Sequence, residues 1–197
     1  DEGLDKAGRS AEMAYQVLKI AKEQKLDIEK ALFANNAYVA GSATAARELA
    51  GLGAYISSNV ANIGGSGGAN PTGSVPGATA RTNGTQTAFT QADFDTVMQS
   101  IWVAGGKADT VYLSSFQMNL ALGFAGNNNQ RSTVQAGDQK VIKSLDVYVT
   151  PWGTVEFTPH REVASRDVYI LDNDMFEVAV LRPTKNTELA KTGDNTT

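Results

Sequence analysis

Residues 146–172 read DVYVTPWGTVEFTPHREVASRDVYILD, and the fold class turns on how this stretch is read. Val147 and Val149 alternate with polar neighbours, the turn ProTrpGly follows at 151–153, and Val155 and Phe157 then alternate again through TVEFTP. Two runs of period two around a tight turn predict a hairpin, which Val141 and Leu145 extend at its start. DVYIL at 167–171 and MFEVAVL at 175–181 flank Leu171, Asp172, Asn173 and Asp174, which predicts a second hairpin before Arg182 and Pro183. Asp109 to Ser114, DTVYLS, reads as a buried strand. The second half is therefore α+β and built on an antiparallel sheet.

Working backwards, Phe89, Thr90, Asp93 and Phe94 spell a capping box with a hydrophobic staple, so a helix starts there. Phe94, Val97, Met98, Ile101 and Trp102 share one of its faces, and Gly105 with Gly106 supplies a left-handed stop. That stripe reads as core rather than as a cofactor box. Ser114 or Ser115 caps a short helix whose Phe116, Leu120 and Phe124 are expected to face inward. A further helix is expected from Thr44 to about Ser57, weakened by two glycines.

Residues 64–79, GGSGGANPTGSVPGAT, hold six of the 19 glycines and two of the five prolines, so neither a helix nor a core strand forms there. From Leu4 to about Asn35 there is no proline, and Leu4, Ala7, Ala11, Ala14, Leu18, Ala21, Ile28 and Leu32 recur at three- and four-residue steps. That is one long amphipathic helix, on the order of 45 Å at about 1.5 Å per residue. Its other side carries charges that read as a solvated face, with Lys19 and Glu23 spaced as an ion pair. The stripe is rich in alanine, so whatever packs on it comes close.

Composition narrows the chemistry. The chain has 197 residues, 42% of them hydrophobic, enough for one compound domain or two small ones. There is no cysteine, which removes disulfides, thiolate metal sites and cysteine nucleophiles. With 21 acidic and 17 basic residues the formal charge is −4, against a dedicated nucleic-acid binder. No apolar run approaches the roughly 18 residues of a membrane span, and DEGLDKAGR lacks the order of a signal peptide, so a soluble chain is expected. The start at Asp1 and the polar end, TGDNTT, are read as marks of a piece trimmed from something longer.

The motif matches fail on context. Gly64 to Gly68 fit the letters of the G-x-S-x-G elbow around Ser66, but no strand and helix frame it. A dinucleotide fingerprint would need glycine where Asn70 stands, and the sequence around Lys107 lacks a phosphate loop's first glycine and its serine or threonine. His160, between Pro159 and Arg161, has no second histidine or thiol with which to share a metal and reads as structural. Asp172, Asp174 and Glu177 match a calcium loop in part but lack its sharp-turn glycine. The sequons at Asn83 and Asn195 are matches by letter only. No catalytic, cofactor-binding or metal-binding residue is expected.

The wording of several segments goes further. DKAGRSAEMAYQ, KEQKLDIEKAL, ATAARELAGLGAYI, RTNGTQTAFT, WVAGG, the stretch at 146–172, VLRP and TELAKTGD, in that order over essentially the whole chain, resemble tailed-phage major capsid proteins of the Hong Kong 97 fold, in particular the SU-ten type. The resemblance implies a peripheral domain with a long spine helix (1–39 and 183–197, incomplete) and an axial domain of antiparallel sheet flanked by helices (40–182). It implies a bacteriophage structural protein, not an enzyme, that assembles with copies of itself into hexamers and pentamers of an icosahedral shell. Double-stranded DNA would be enclosed by loose contact, and scaffold, portal or decoration proteins would be further partners. The virion would be its location and the host cytoplasm its place of synthesis. The family's N-terminal arm, extended loop and final strand have no counterpart here, so a monomeric or weakly associated trimmed core is expected. An encapsulin-like compartment shell is the nearest alternative, and a sugar-binding module or hydrolase using the glycine loop with Asp172, Asp174 and Glu177 the alternative of another class. Glu12, Lys22, Arg47, Arg81, Arg161 and Arg166 are the candidate assembly contacts, as charged positions on elements expected to be exposed.

On this reading residues 64–79 are a mobile loop joining two helices of the axial domain. Such a loop would be inert or would adapt to non-identical neighbours. Replacing residues 65–76 with a short linker should change the melting temperature little, since closure cost varies slowly with loop length; a large fall on calorimetry would show that the loop is part of the packing.

Overall fold

The computed structural model describes residues 12–61, 67–124, 147–180 and 183–185. The expected helical residues 4–11, the strand extension at Val141 and Leu145, Gly64 to Ser66 and the sequon at Asn195 lie outside them, as does most of the expected peripheral return from Pro183. The elements are α1 (Glu12–Phe33), α2 (Leu52–Tyr55), α3 (Gln91–Val103), β1 (Thr110–Leu113), α4 (Ser115–Ala121), β2 (Val147–Thr150), β3 (Gly153–Pro159), β4 (Val168–Leu171) and a 3₁₀ turn at Asn173–Met175.

The strands form one mixed sheet in the order β2-β3-β1-β4. The hairpin read around ProTrpGly is present: β2 pairs antiparallel with β3, Tyr148 opposite Val155. The sheet is not wholly antiparallel, because β1 runs parallel to β3, with Val111 opposite Phe157, and antiparallel to β4. A parallel neighbour requires a crossover, and α4 begins that crossover directly after β1.

Alternation along the strands separates two cores. Val111 and Leu113 with Val155 and Phe157 face one side, where Phe94, Met98, Ala121 and Phe124 cover them. Tyr169 and Leu171 face the other, where Phe33, Leu52, Ile56 and Tyr112 pack around them and Val163. Fully burying a side chain such as Phe94 contributes about 2–3 kcal/mol. The layers are therefore α3 and α4, the sheet, and then α2 with the end of α1.

The boundary read most sharply from the sequence forms as read. The Thr90 side chain accepts from Asp93 N at 3.4 Å, the Asp93 carboxylate accepts from Thr90 N at 3.1 Å, and Phe89 and Phe94 both join the core. At the other end Gly105 takes the left-handed conformation with φ +81°.

Elsewhere the chain departs from expectation. Residues 44–51 are not helical, and only one turn, α2, forms. The backbone groups a helix would use are bound elsewhere: Val39 and Glu48 exchange both their hydrogen bonds, Gly51 N donates to Asn36 O, and Asn36 Nδ2 donates to Leu49 O at 2.6 Å. Gly51 sits so close to the end of α1 that a Cβ there would fall 1.6 Å from Ala34 O. In α4 the inward positions are Gln117 and Ala121 rather than Phe116 and Leu120: Phe116 is exposed and Leu120 half-buried, because Gln117 turns inward to donate to Ser165 O at 2.6 Å. Phe124 is buried as expected. Trp102, in the last turn of α3, is exposed.

The hairpin expected across 171–174 does not form either. Asn173 donates to Thr110 Oγ1 at 2.9 Å and accepts from the Tyr112 hydroxyl at 3.3 Å, so the chain turns toward β1 after β4 and residues 176–180 form no strand. The glycine-rich loop is tied rather than free where it is described. Ala69 and Thr82 exchange two backbone hydrogen bonds, and Gly77, with φ +80°, lies against Tyr55 and Ala50.

Two substitutions test this account. Gly51→Ala should destabilise by about 3 kcal/mol or abolish folding, since backbone has no room to yield, whereas Thr90→Ala should cost about 1 kcal/mol through loss of the cap. Urea unfolding followed by circular dichroism reads both, and a Gly51→Ala chain as stable as the original would contradict the seat described for α1.

Candidate assembly surfaces

Among the described residues, α1 meets the folded core at its C-terminal end. Every residue from 14 to 28 is exposed, Leu18 to 64%, and only from Glu29 onward does the helix become partly buried. From Ala14 to Ile28 the alanine-rich stripe read from the sequence is thus an open face. Val17 lies beside Leu18 and Ile28 on that face, and Ile20 and Leu26 are exposed on other sides of the helix.

The attached end is built from two joints. In the first, His160 follows β3 and its backbone N donates to Leu113 O at 2.8 Å, which fixes the ring against Phe33 with centroids 4.4 Å apart. Glu162 N donates to His160 Nδ1 at 3.2 Å, so the ring proton sits on Nε2, which donates to Glu29 Oε1 at 2.7 Å. The structural reading of His160 is the one its partners support.

In the second, Asn35 just past α1 donates from Nδ2 to Arg81 O at 2.8 Å and accepts from Arg81 N at 3.0 Å. Arg81 Nη1 lies 3.5 Å from Asp167 Oδ1, with both side chains largely buried. Burial pushes the Asp167 carboxyl above its ordinary range, with Arg81 and Arg166 pulling the other way. Burial, then the Asp167 charge, pushes the Tyr169 hydroxyl up to about 12. The Tyr169 hydroxyl, Arg81 Nε and Asn36 Oδ1 are buried there without a hydrogen-bond partner.

The six charged candidates do not converge. Glu12 opens α1, Lys22 stands exposed on it, and Arg47 is exposed with its stem over Gly41. Arg161 is exposed, and Arg166 is exposed while donating to Gly84 O at 3.0 Å. Arg81 is engaged inside the chain, because the Asn35 clamp turns its side chain onto Asp167.

Asp172 and Asp174 gather instead with Asp109, their nearest carboxylate oxygens within 4.8 Å of one another, while Glu177 stays outside the group. Lys107 Nζ approaches Asp109 at 2.9 Å and supplies positive charge to the trio. Asp109 opens the stretch DTVYLS that the sequence marks as a strand, and its proximity to Asp172 depends on β1 lying beside β4. An open cavity of about 1010 Å³ runs beside β4, between residues 81–89, α3 and α4. Among the described residues no helix is long and apolar enough to cross a membrane.

An exposed apolar face of this kind marks a surface that other molecules cover. Over residues 1–197 the chain matches the family described as SU10 major capsid protein, and it belongs to that family. No curated protein matches it. Membership gives it a structural role in a capsid, association with its own copies as the way it works, and the virion as its location.

The buried carboxyl at the second joint makes a testable prediction. A carboxyl raised above its ordinary range takes up its proton in the folded chain at higher pH than in the unfolded one. Its ionised form therefore costs stability above the raised value, and the cost is gone below the ordinary value. Relative to Asp167→Asn, the original chain should gain stability as pH falls from about 7 toward about 4. Thermal melts across that range read it, and a constant difference between the two chains would contradict the burial of Asp167.

Proposed function

We propose that this chain is a shell-forming subunit of a tailed bacteriophage head, with the Hong Kong 97 fold, assembling through capsomers into an icosahedral shell around double-stranded DNA. α1 is its spine helix; residues 1–39 and 183–197 belong to a peripheral domain and residues 40–182 to an axial domain. The observation that carries this reading is α1 itself. A helix of 22 residues that exposes apolar side chains between residues 14 and 28, and among the described residues meets the core at its C-terminal end, leaves much of its surface for other parts of a shell to cover. The family match over the entire chain supports the same reading.

The formal charge of −4 suits a container whose contact with DNA is loose, since tight binding rests on neutralising phosphates with lysine and arginine. Glu12, Lys22, Arg47, Arg161 and Arg166 remain the proposed contact residues between subunits, and Arg81 acts behind them by holding the joint. Scaffold, portal and decoration proteins are the further partners, and synthesis takes place in the host cytoplasm.

Sedimentation and electron microscopy of the complete gene product, beside the 197-residue chain, test the proposal. Icosahedral particles from the complete product are expected. A discrete monomer or dimer under every assembly condition would overturn it.

A further inference from the structure

We infer that the open face of the β2–β3 hairpin receives the exposed stripe of α1 from a second copy of this chain. Residues paired across neighbouring strands point to one side of a sheet, so Val147 with Glu156 and Val149 with Thr154 share the face opposite the Phe94 core. On that face Phe33, Leu52 and Ile56 pack over the half that carries Tyr169 and Leu171. The half formed by β2 and β3 is bare: Val147 and Val149 are 54% and 72% exposed, and Thr154 and Glu156 are exposed beside them. The layer on that side of the sheet is half built among the described residues.

α1 matches the missing half in length, surface and charge. At about 3.6 residues per turn Ala14, Val17, Leu18, Ala21, Lys25 and Ile28 lie on one side of the helix, and all are exposed. They run about 21 Å at about 1.5 Å per residue, and the seven residues of β3 run about 20 Å at about 3.3 Å each. The two alanines let the helix come close to the valines of β2. Lys25 is the one charge inside the stripe and Lys22 stands at its border, while Glu23 and Asp27 lie on the far side and Glu29 is taken by His160. Glu156 is the one charge that the four strands place on the open face, and its carboxylate forms no ion pair among the described residues. Two hairpin faces laid together, or two stripes, would bring like charges into one patch, so each surface fits the other rather than itself. Within one chain they do not meet, since both are exposed and α1 is seated at Asn35 and His160. One helix face on one hairpin buries less than the roughly 1,600 Å² of a standard stable interface. The contact is weak singly and effective when every copy both gives a helix and receives one, a head-to-tail arrangement that closes into a ring where the rotation between copies permits.

The proposal deepens the self-association reading and rests on it. Since the chain has no cysteine, single cysteines report the contact cleanly. Chain carrying Ala21→Cys is mixed at high concentration with chain carrying Val149→Cys under mild oxidation; both positions are exposed, so both variants fold. A disulfide-linked heterodimer is expected in several-fold excess over the control pair of Ala21→Cys with Val103→Cys, an exposed position at the end of α3 on the other side of the sheet. Adding Lys25→Glu to the first chain should lower the yield severalfold, and adding Glu156→Lys to the second should restore it. A yield equal to the control overturns the proposal, as does a charge swap that restores nothing or a double variant that closes its disulfide within one chain. Particle formation by the complete gene product is measured apart: shells that form without this cross-link would defeat the contact and leave the capsid reading, and the cross-link in a product that never forms shells would do the reverse.

Discussion

Asn35 offers both ends of its side-chain amide to the backbone of Arg81, and the placement of α1 depends on that pair of bonds. The residue stands just beyond the helix end, so the clamp fixes where α1 stops as well as where it points. Arg81, held by its backbone, then commits its guanidinium to Asp167, and Asp167 leads into β4. Asn36 next to it occupies Leu49 O and places Gly51 against Ala34. Without this seat the lower core of Tyr169, Leu171 and Val163 would lose the cover that Phe33 and Leu52 provide.

The parts legible in the sequence are those whose signals are local. The capping box of α3 uses residues three apart, the hairpin of β2 and β3 is written around ProTrpGly, and β1 is a short apolar run next to a serine cap. The parts misread are those where a distant partner outbid local propensity. Residues 44–51 have the composition of a helix, but Asn36 and Val39 hold their backbone groups. MFEVAVL has the alternation of a strand, but a side chain three residues earlier than Phe176 diverts it. In α4 the phase moved by one position because a glutamine found an acceptor on the loop before β4.

The surfaces follow the same logic. Charged residues on exposed elements could be named from the sequence, and Lys22, Arg47, Arg161 and Arg166 are exposed. Which of them is spent inside the chain could not, since Asn35 and Arg81 stand 46 residues apart and Glu29 and His160 stand 131 apart. The gathering of Asp109 with Asp172 and Asp174 was hidden for the same reason, as it follows from strand order. Family membership, by contrast, was carried by wording spread along the chain, which needs no contact map to be read.

Among the described residues α1 is seated at its C-terminal end, and a helix so seated is a lever. With 22 residues at about 1.5 Å each, α1 reaches about 33 Å, so a tilt of about 10° at the Asn35 and His160 joints would carry its far end about 6 Å. Copies of one chain set in slightly different surroundings could then differ in the angle of a single arm while keeping identical cores. The curvature of whatever they build would be set at a hinge of a few polar side chains, at one end of a rod, rather than by reshaping the sheet.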